Sequence, residues 1–165
     1  MRTSLSSVLF VCVLVLLASL ALAAGSSGYH VAKKTVLGGD GGWDYLTVDA
    51  KARRVYISRS THVMVVDADT AAVVGDIPGT NGVHGIAIAS EFKHGFTSNG
   101  REDKVSMFDP ATLTLIKKID VGKGPDGIYY DPTTKRVFTN NHGSHDVRAI
   151  DAKSGTVAGT SKPQR

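Results

Sequence analysis

The chain repeats itself. Three stretches of about 42 residues carry one pattern of apolar and polar positions, and this restricts the fold more than any other feature. Asp67, Asp109 and Asp151 lie 42 and 42 residues apart. Tyr56, Phe96 and Phe138 lie 40 and 42 apart, and Asp44, His84 and Asp126 show the same two intervals. Three independent markers held in step make accident a poor explanation. A unit this short cannot enclose a core of its own and has to stack on its neighbours.

Each unit contains about four short runs in which apolar and small polar residues alternate, the period of a half-buried strand. Turn residues separate the runs. Asp109-Pro110-Ala111-Thr112 and Asp151-Ala152-Lys153-Ser154-Gly155 each put an Asp at a strand end, where its carboxylate can accept hydrogen bonds from nearby backbone amides. Asp131-Pro132-Thr133-Thr134-Lys135 marks another tight turn. No helical periodicity is sustained after residue 23. Four strands per repeat of about 40 residues predicts an all-β chain of β-propeller blades, each of four antiparallel strands, with about three blades present.

The blades are expected over residues 43–78, 83–121 and 125–160, within a partial propeller spanning 24–160. Residues 29–38 resemble 113–122: Lys33 to Lys117 and Gly38 to Gly122 are each 84 residues, or two repeats. They are therefore expected as the outer strand of a closing blade. The fourth strand of the third blade falls on Thr156-Val157-Ala158-Gly159-Thr160, a short and weak run, and 161–165 read as a polar tail. Rings typically need about four to eight blades. The expectation is a piece of a longer ring, with self-association through open blade edges as the alternative.

The repeats resemble the YVTN-type β-propeller family, relatives of the WD-repeat proteins. Arg54-Val55-Tyr56-Ile57-Ser58, His94-Gly95-Phe96-Thr97-Ser98-Asn99 and Arg136-Val137-Phe138-Thr139-Asn140 stand where that family has its second strand. Val66-Asp67, Phe108-Asp109 and Ile150-Asp151 match its third strand, and the turns after them match its connection. The resemblance covers about residues 29–160 and implies an exported, usually seven-bladed bacterial or archaeal propeller. It implies no particular ligand.

Residues 1–23 read as a secretory signal. Arg2 precedes an apolar run from Val8 to Leu22, and Ala21-Leu22-Ala23 has the small residues of a cleavage site. A periplasmic or secreted protein is expected. Removal of the leader takes Cys12, the one cysteine, with it, so no disulfide and no thiolate chemistry remain. It leaves 18 basic and 15 acidic residues, a formal charge of +3 with the charges scattered. That disfavours nucleic acid as a partner, because a nucleic-acid interface concentrates its basic residues.

Asp44, His84 and Asp126 occupy one register position at the start of the innermost strand, where three blades would bring them to one end of the channel. Such a set can bind a cation or a polar ligand. Its recurrence in every blade favours three local backbone contacts, since a structural role would repeat with the blade. His142-Gly143-Ser144-His145-Asp146 is the densest polar cluster, but it matches Arg59-Ser60-Thr61-His62 and Gly100-Arg101-Glu102-Asp103, all read as hairpin turns. The glycine-rich 38–42 lacks the helix of a phosphate-binding loop and is expected as an inter-blade turn. Trp43 and Tyr45 are expected in core or inter-blade packing. No catalytic residue, metal site or cofactor is assigned. The leading expectation is a non-catalytic binding scaffold of the bacterial envelope for a protein or small ligand. The alternatives are a lactonase-like metal enzyme, a quinoprotein-like dehydrogenase and a nucleic-acid-binding propeller.

Overall fold

A computed structural model describes residues 28–162; the expected leader, residues 1–23, and the end of the polar tail lie outside the described residues. Residues 28–36 form a unit separate from the rest. They are exposed and carry no strand. Expected as the outer strand of a closing blade, 29–38 form no strand. An outer strand exists only where a third strand offers it backbone partners.

Eleven antiparallel strands follow: β1 (Leu46–Asp49), β2 (Arg54–Ser58), β3 (Ser60–Asp67), β4 (Val73–Ala89), β5 (His94–Asn99), β6 (Lys104–Asp109), β7 (Thr114–Asp120), β8 (Pro125–Asp131), β9 (Arg136–Asn141), β10 (Asp146–Asp151) and β11 (Val157–Ser161). Among the described residues there is no α-helix, only a 3₁₀ turn at Ser90–Phe92. The strands form one sheet in the order β1 to β7 and a second in the order β11-β10-β9-β8.

The seven-stranded sheet is two blades sharing one continuous strand. β4 pairs with β3 through residues 73–78 and with β5 from Val83 onward. Between the two halves, Gly79 and Gly82 take φ of 73° and 69°, which turns the chain from the outer edge of one blade to the inner edge of the next. Blade 1 is β1–β3 with the first half of β4; blade 2 is the second half with β5–β7. Blade 3 is β8–β11, set off by Gly122, Gly124 and Pro125, whose ring cannot donate to a ladder.

The 40-residue first interval has a local cause. Ser58 pairs with Val63, whereas Ser98 pairs with Val105 and Asn140 with Val147. The hairpin between the second and third strands is thus two residues shorter in blade 1.

The core lies between blades. One cluster joins Tyr56, Val63, Val65 and Ile77 of blade 1 to Ile86 and Phe108 of blade 2. Another joins Phe96, Val105 and Met107 of blade 2 to Val137 and Ile150 of blade 3. Side chains also tie the seams: Thr47 Oγ1 donates to Ile86 O at 2.7 Å, and Lys135 Nζ of blade 3 reaches Glu91 of blade 2 at 2.8 Å. Tyr130 also donates to Glu91; burial and this carboxylate push the Tyr130 phenol up to about 12.

The expected turns at Asp109 and Asp151 are present, and Asp67 makes the same turn in blade 1. Asp67 Oδ1 accepts from the Asp69 and Thr70 amides at 3.1 and 2.8 Å, Asp109 Oδ1 from Ala111 and Thr112 at 2.7 and 3.2 Å, and Asp151 Oδ1 from Ser154 at 2.8 Å. On Asp67 and Asp151 these bonds favour the ionised form. The Thr70 amide and hydroxyl hold Asp67, and the Ser154 amide and hydroxyl hold Asp151, below the usual carboxylate value of 3.8. Each turn closes through a residue with positive φ: Ala71 at 61°, Leu113 at 60° and Gly155 at 64°.

Two predictions follow from the turns. Ala71→Gly should raise stability by about 1 kcal/mol, because alanine is strained in the left-handed region that Gly155 adopts freely; thermal melting checks this. A carboxyl whose folded value is depressed stabilises the fold above its unfolded value and loses that contribution as pH falls. Melting temperature should therefore drop below about pH 4. The drop should be shallower in Asp67→Asn/Asp151→Asn, whose amides cannot titrate.

Candidate functional site

The inner strands β1, the second half of β4, and β8 begin at one end of the stack, beside the hairpins that join second and third strands. A cleft of about 480 Å³ opens there, lined by Tyr45 and Thr47 of β1 and its lead-in, Gly85 and Ile86 of β4, Tyr129 of β8 and Asn140 of β9. Tyr45 and Tyr129 are well exposed, at 57% and 64%. The wall therefore offers two phenol rings, a hydroxyl and an amide. Gly85 lets β8 approach β4 closely here, since a Cβ on it would come within 2.8 Å of Ile128.

Two of the three expected site residues meet. His84 Nδ1 donates to Asp44 Oδ2 at 2.6 Å, each side chain about one-third exposed. The residues precede the cleft-lining Gly85 and Tyr45, which places the pair beside the cleft. Asp126 makes no hydrogen bond to the pair. It lines an adjoining hollow of about 440 Å³ with Tyr45, Asn140, His142 and His145. Main-chain carbonyls at two of these positions take hydrogen bonds from the preceding blade: Ser58 Oγ donates to His84 O and Ser98 Oγ to Asp126 O. Among the described residues no three His, Cys, Asp or Glu side chains are grouped to hold a metal ion. His142 and His145 lie in the β9–β10 hairpin, as their alignment implies.

Trp43 and Tyr45 are not core residues. Trp43 is 63% exposed and its ring lies 4.2 Å from the Arg59 guanidinium carbon. Arg59 is the residue that reading the turns as uniformly polar misses. It is buried, at 2% exposure. Its Nη1 donates to Gly38 O at 2.9 Å, and its Nη2 donates to Gly39 O at 2.8 Å and Gly41 O at 3.2 Å. The glycine-rich segment is thus a collar around a cation. Three carbonyl dipoles and an aromatic face replace the water that the guanidinium loses. A Cβ on Gly41 would fall 2.2 Å from Arg59 O, which explains why glycine stands there.

The position itself carried a signal. Asn99 and Asn141 occupy the same register in blades 2 and 3, and both are buried. Asn99 Nδ2 donates to Ser106 Oγ at 2.7 Å, and Asn141 Nδ2 donates to Asp146 Oδ1 at 2.7 Å. The position binds its own hairpin in two blades. In blade 1, where the hairpin is shorter, an arginine reaches out to the lead-in segment instead.

Arg59→Ala should cost about 3 kcal/mol, from three charged hydrogen bonds and the ring contact. Trp43, the chain's one tryptophan, should shift its emission to the red, while the β-sheet circular dichroism persists. Arg59→Lys should recover only part of the loss, since an ammonium cannot span the same fork.

No family model and no curated protein matches this chain. Among solved structures it is similar to the Kuenenia stuttgartiensis hydrazine synthase, with a TM-score of 0.69 and 23% identity over 80% of this chain and 39% of that one. It is similar also to U3-55K, with a TM-score of 0.69 and 12% identity over 78% of this chain and 41% of that one. The RRP9 WD40 repeats give 0.69 and 12% over 76% and 40%. At these identities the likeness establishes the β-propeller fold. The chain spans about two-fifths of the length of the structures it matches.

Proposed function

We propose that this chain is a propeller scaffold of YVTN-repeat type, exported to the bacterial envelope, that holds a small polar ligand or a short peptide segment at the mouth of its inner strands and performs no chemistry on it. The observation that carries the reading is the cleft, where exposed Tyr45 and Tyr129 rings face a hydroxyl and an amide beside the Asp44–His84 pair. Rings give stacking area at small conformational cost, and fixed polar groups give orientation. Thr47, Tyr129 and Asn140 stand on strands, and Tyr45 directly precedes β1 with its carbonyl accepting from the Ser58 amide at 3.1 Å, so the geometry is formed before anything binds. The leader supports export, and the repeat motifs of the second and third strands support the family.

The test is binding by protein recovered from the export compartment as a chain beginning at Ala24. A panel of short peptides and small saccharides, screened by thermal shift and measured by calorimetry, should yield a binder. Tyr129→Ala should then weaken it about tenfold, the usual cost of truncating an aromatic anchor, and His84→Ala should weaken it less. A binder indifferent to both changes places recognition elsewhere and defeats the proposal.

A further inference from the structure

The two seams inside this chain differ at one pair of facing turns. Each blade passes from its first strand to its second through a residue in the left-handed region: Arg53, Lys93 and Lys135, with φ of 55°, 57° and 59°. They hold one register position, so their side chains leave comparable backbones. In the seam between blades 2 and 3, Lys135 Nζ reaches Glu91 Oε2 at 2.8 Å, and Tyr130 donates to Glu91 Oε1. That carboxylate takes one donor on each oxygen. In the seam between blades 1 and 2, the positions of Glu91 and Lys135 are held by Lys51 and Lys93. Two ammonium groups stand where the other seam has an acid and a base. Neither forms an ion pair among the described residues.

Both lysines line a hollow of about 630 Å³, at the opposite end of the inner strands from the cleft. Arg54, Asp49 and Asp109 line it too. The two carboxylates are engaged within their own turns. Asp49 Oδ1 accepts from the Lys51 and Ala52 amides, each at 3.0 Å, and Asp109 Oδ1 accepts from the Ala111 and Thr112 amides. Arg54 directs Nη1 to Pro110 O, as His94 at the same position directs Nδ1 to Ala152 O at 3.0 Å. Tyr56 stands on the same face of β2 as Arg54, two residues along. It is wholly buried, and its hydroxyl has no hydrogen-bond partner. The charges that act on it are those of Arg54, Asp49 and Asp109, so it lies beside the lining of the hollow. Burial pushes the phenol up, and the hydroxyl keeps its proton to donate. Blades 2 and 3 have Phe96 and Phe138 at this position, with no hydroxyl to satisfy.

The buried donor without an acceptor thus falls in the seam that lacks a bridging carboxylate. A buried hydroxyl left unpaired costs free energy, and two lysines without a counterion repel each other. One oxyanion relieves both. Glu91 meets two donors with two oxygens. The first seam offers Lys51, Lys93 and the Tyr56 hydroxyl, and a phosphate group has three terminal oxygens to set against them. We propose that the hollow between blades 1 and 2 binds a phosphate group, free or carried by a small phosphomonoester, which bridges Lys51 and Lys93 and accepts from the Tyr56 hydroxyl. It supplies from solution the anion that Glu91 supplies in the other seam. The hollow shares no lining residue with the cleft, so the two sites stand or fall separately.

The test is calorimetry of the full purified chain at low ionic strength, where exposed charges are screened least. Inorganic phosphate and glycerol phosphate are titrated separately, and the tighter of the two names the source. Acetate, with two oxygens, should bind about tenfold more weakly, the loss of one hydrogen bond between charged groups. Tyr56→Phe copies the residue of blades 2 and 3. It should retain the β-sheet circular dichroism and weaken phosphate about tenfold, for the same reason. Lys51→Glu gives this seam the acid and base of the other. It should abolish phosphate binding and raise the melting temperature in phosphate-free buffer. If neither phosphate compound binds, the proposal is overturned. Binding that survives Lys51→Glu, or that is unchanged in Tyr56→Phe, overturns it as well. So does acetate binding as tightly as phosphate, since two oxygens would then suffice.

Discussion

Everything in this chain depends on blades pressing face to face. A four-stranded antiparallel blade has two sides, and the alternation of its strands sends successive side chains to opposite ones. In blade 2 the result is a sheet buried on both sides. Phe96, Val105 and Met107 face blade 3, while Ile86 and Phe108 face blade 1. A slip of one residue in any strand would exchange those two sets. Spacing along the sequence is thus the direct record of stacking in space.

Apolar contact alone would let one blade slide or rotate on the next. The polar ties resist that. Ser58 and Ser98 fix one end of each seam, and Arg54 and His94 fix the other. All four donate to main-chain carbonyls whose positions follow from the strand ladder and not from a rotamer. A buried carbonyl needs a donor, so each tie satisfies a backbone group while it sets the stacking angle. The seams can therefore keep one geometry although the core residues differ between them.

The regular part of this organisation was legible in the sequence. Strand alternation, the Asp turns and the repeat intervals all arise from local chemistry, and they repeat, so each blade corroborates the others. Asp109 and Asp151 were readable as turn formers because the amides that donate to their carboxylates lie two or three residues away. The site was only partly legible. Register alone could place Asp44 and His84 at one end of adjacent inner strands, and the structure pairs them; it could not show that Asp126 would line a separate hollow, since that depends on how blade 3 turns against blade 2. Exposure was harder still. Tyr45 and Trp43 look like core residues because aromatic rings usually are, and only the side of the sheet each one faces settles the matter.

Arg59 shows most clearly why the remainder escaped notice. In blades 2 and 3 its position is an asparagine that closes a six-residue turn from within, between Ser98 and Val105 or between Asn140 and Val147. The shorter turn of blade 1 lacks those side-chain partners: Met64 stands where blade 2 has Ser106, and His62 where blade 3 has Asp146. A long, planar cation fills the same place because it can reach acceptors outside the hairpin, and residues 38–42 supply them. The glycines, the tryptophan and the 40-residue interval are consequently one feature and not three. The shortened hairpin calls for the arginine, and the arginine calls for carbonyls unobstructed by side chains. The collar it gathers leads into Asp44 and Tyr45, the residues that begin the candidate site. The departure from the repeat is therefore what holds the first inner strand in position to form its side of the cleft.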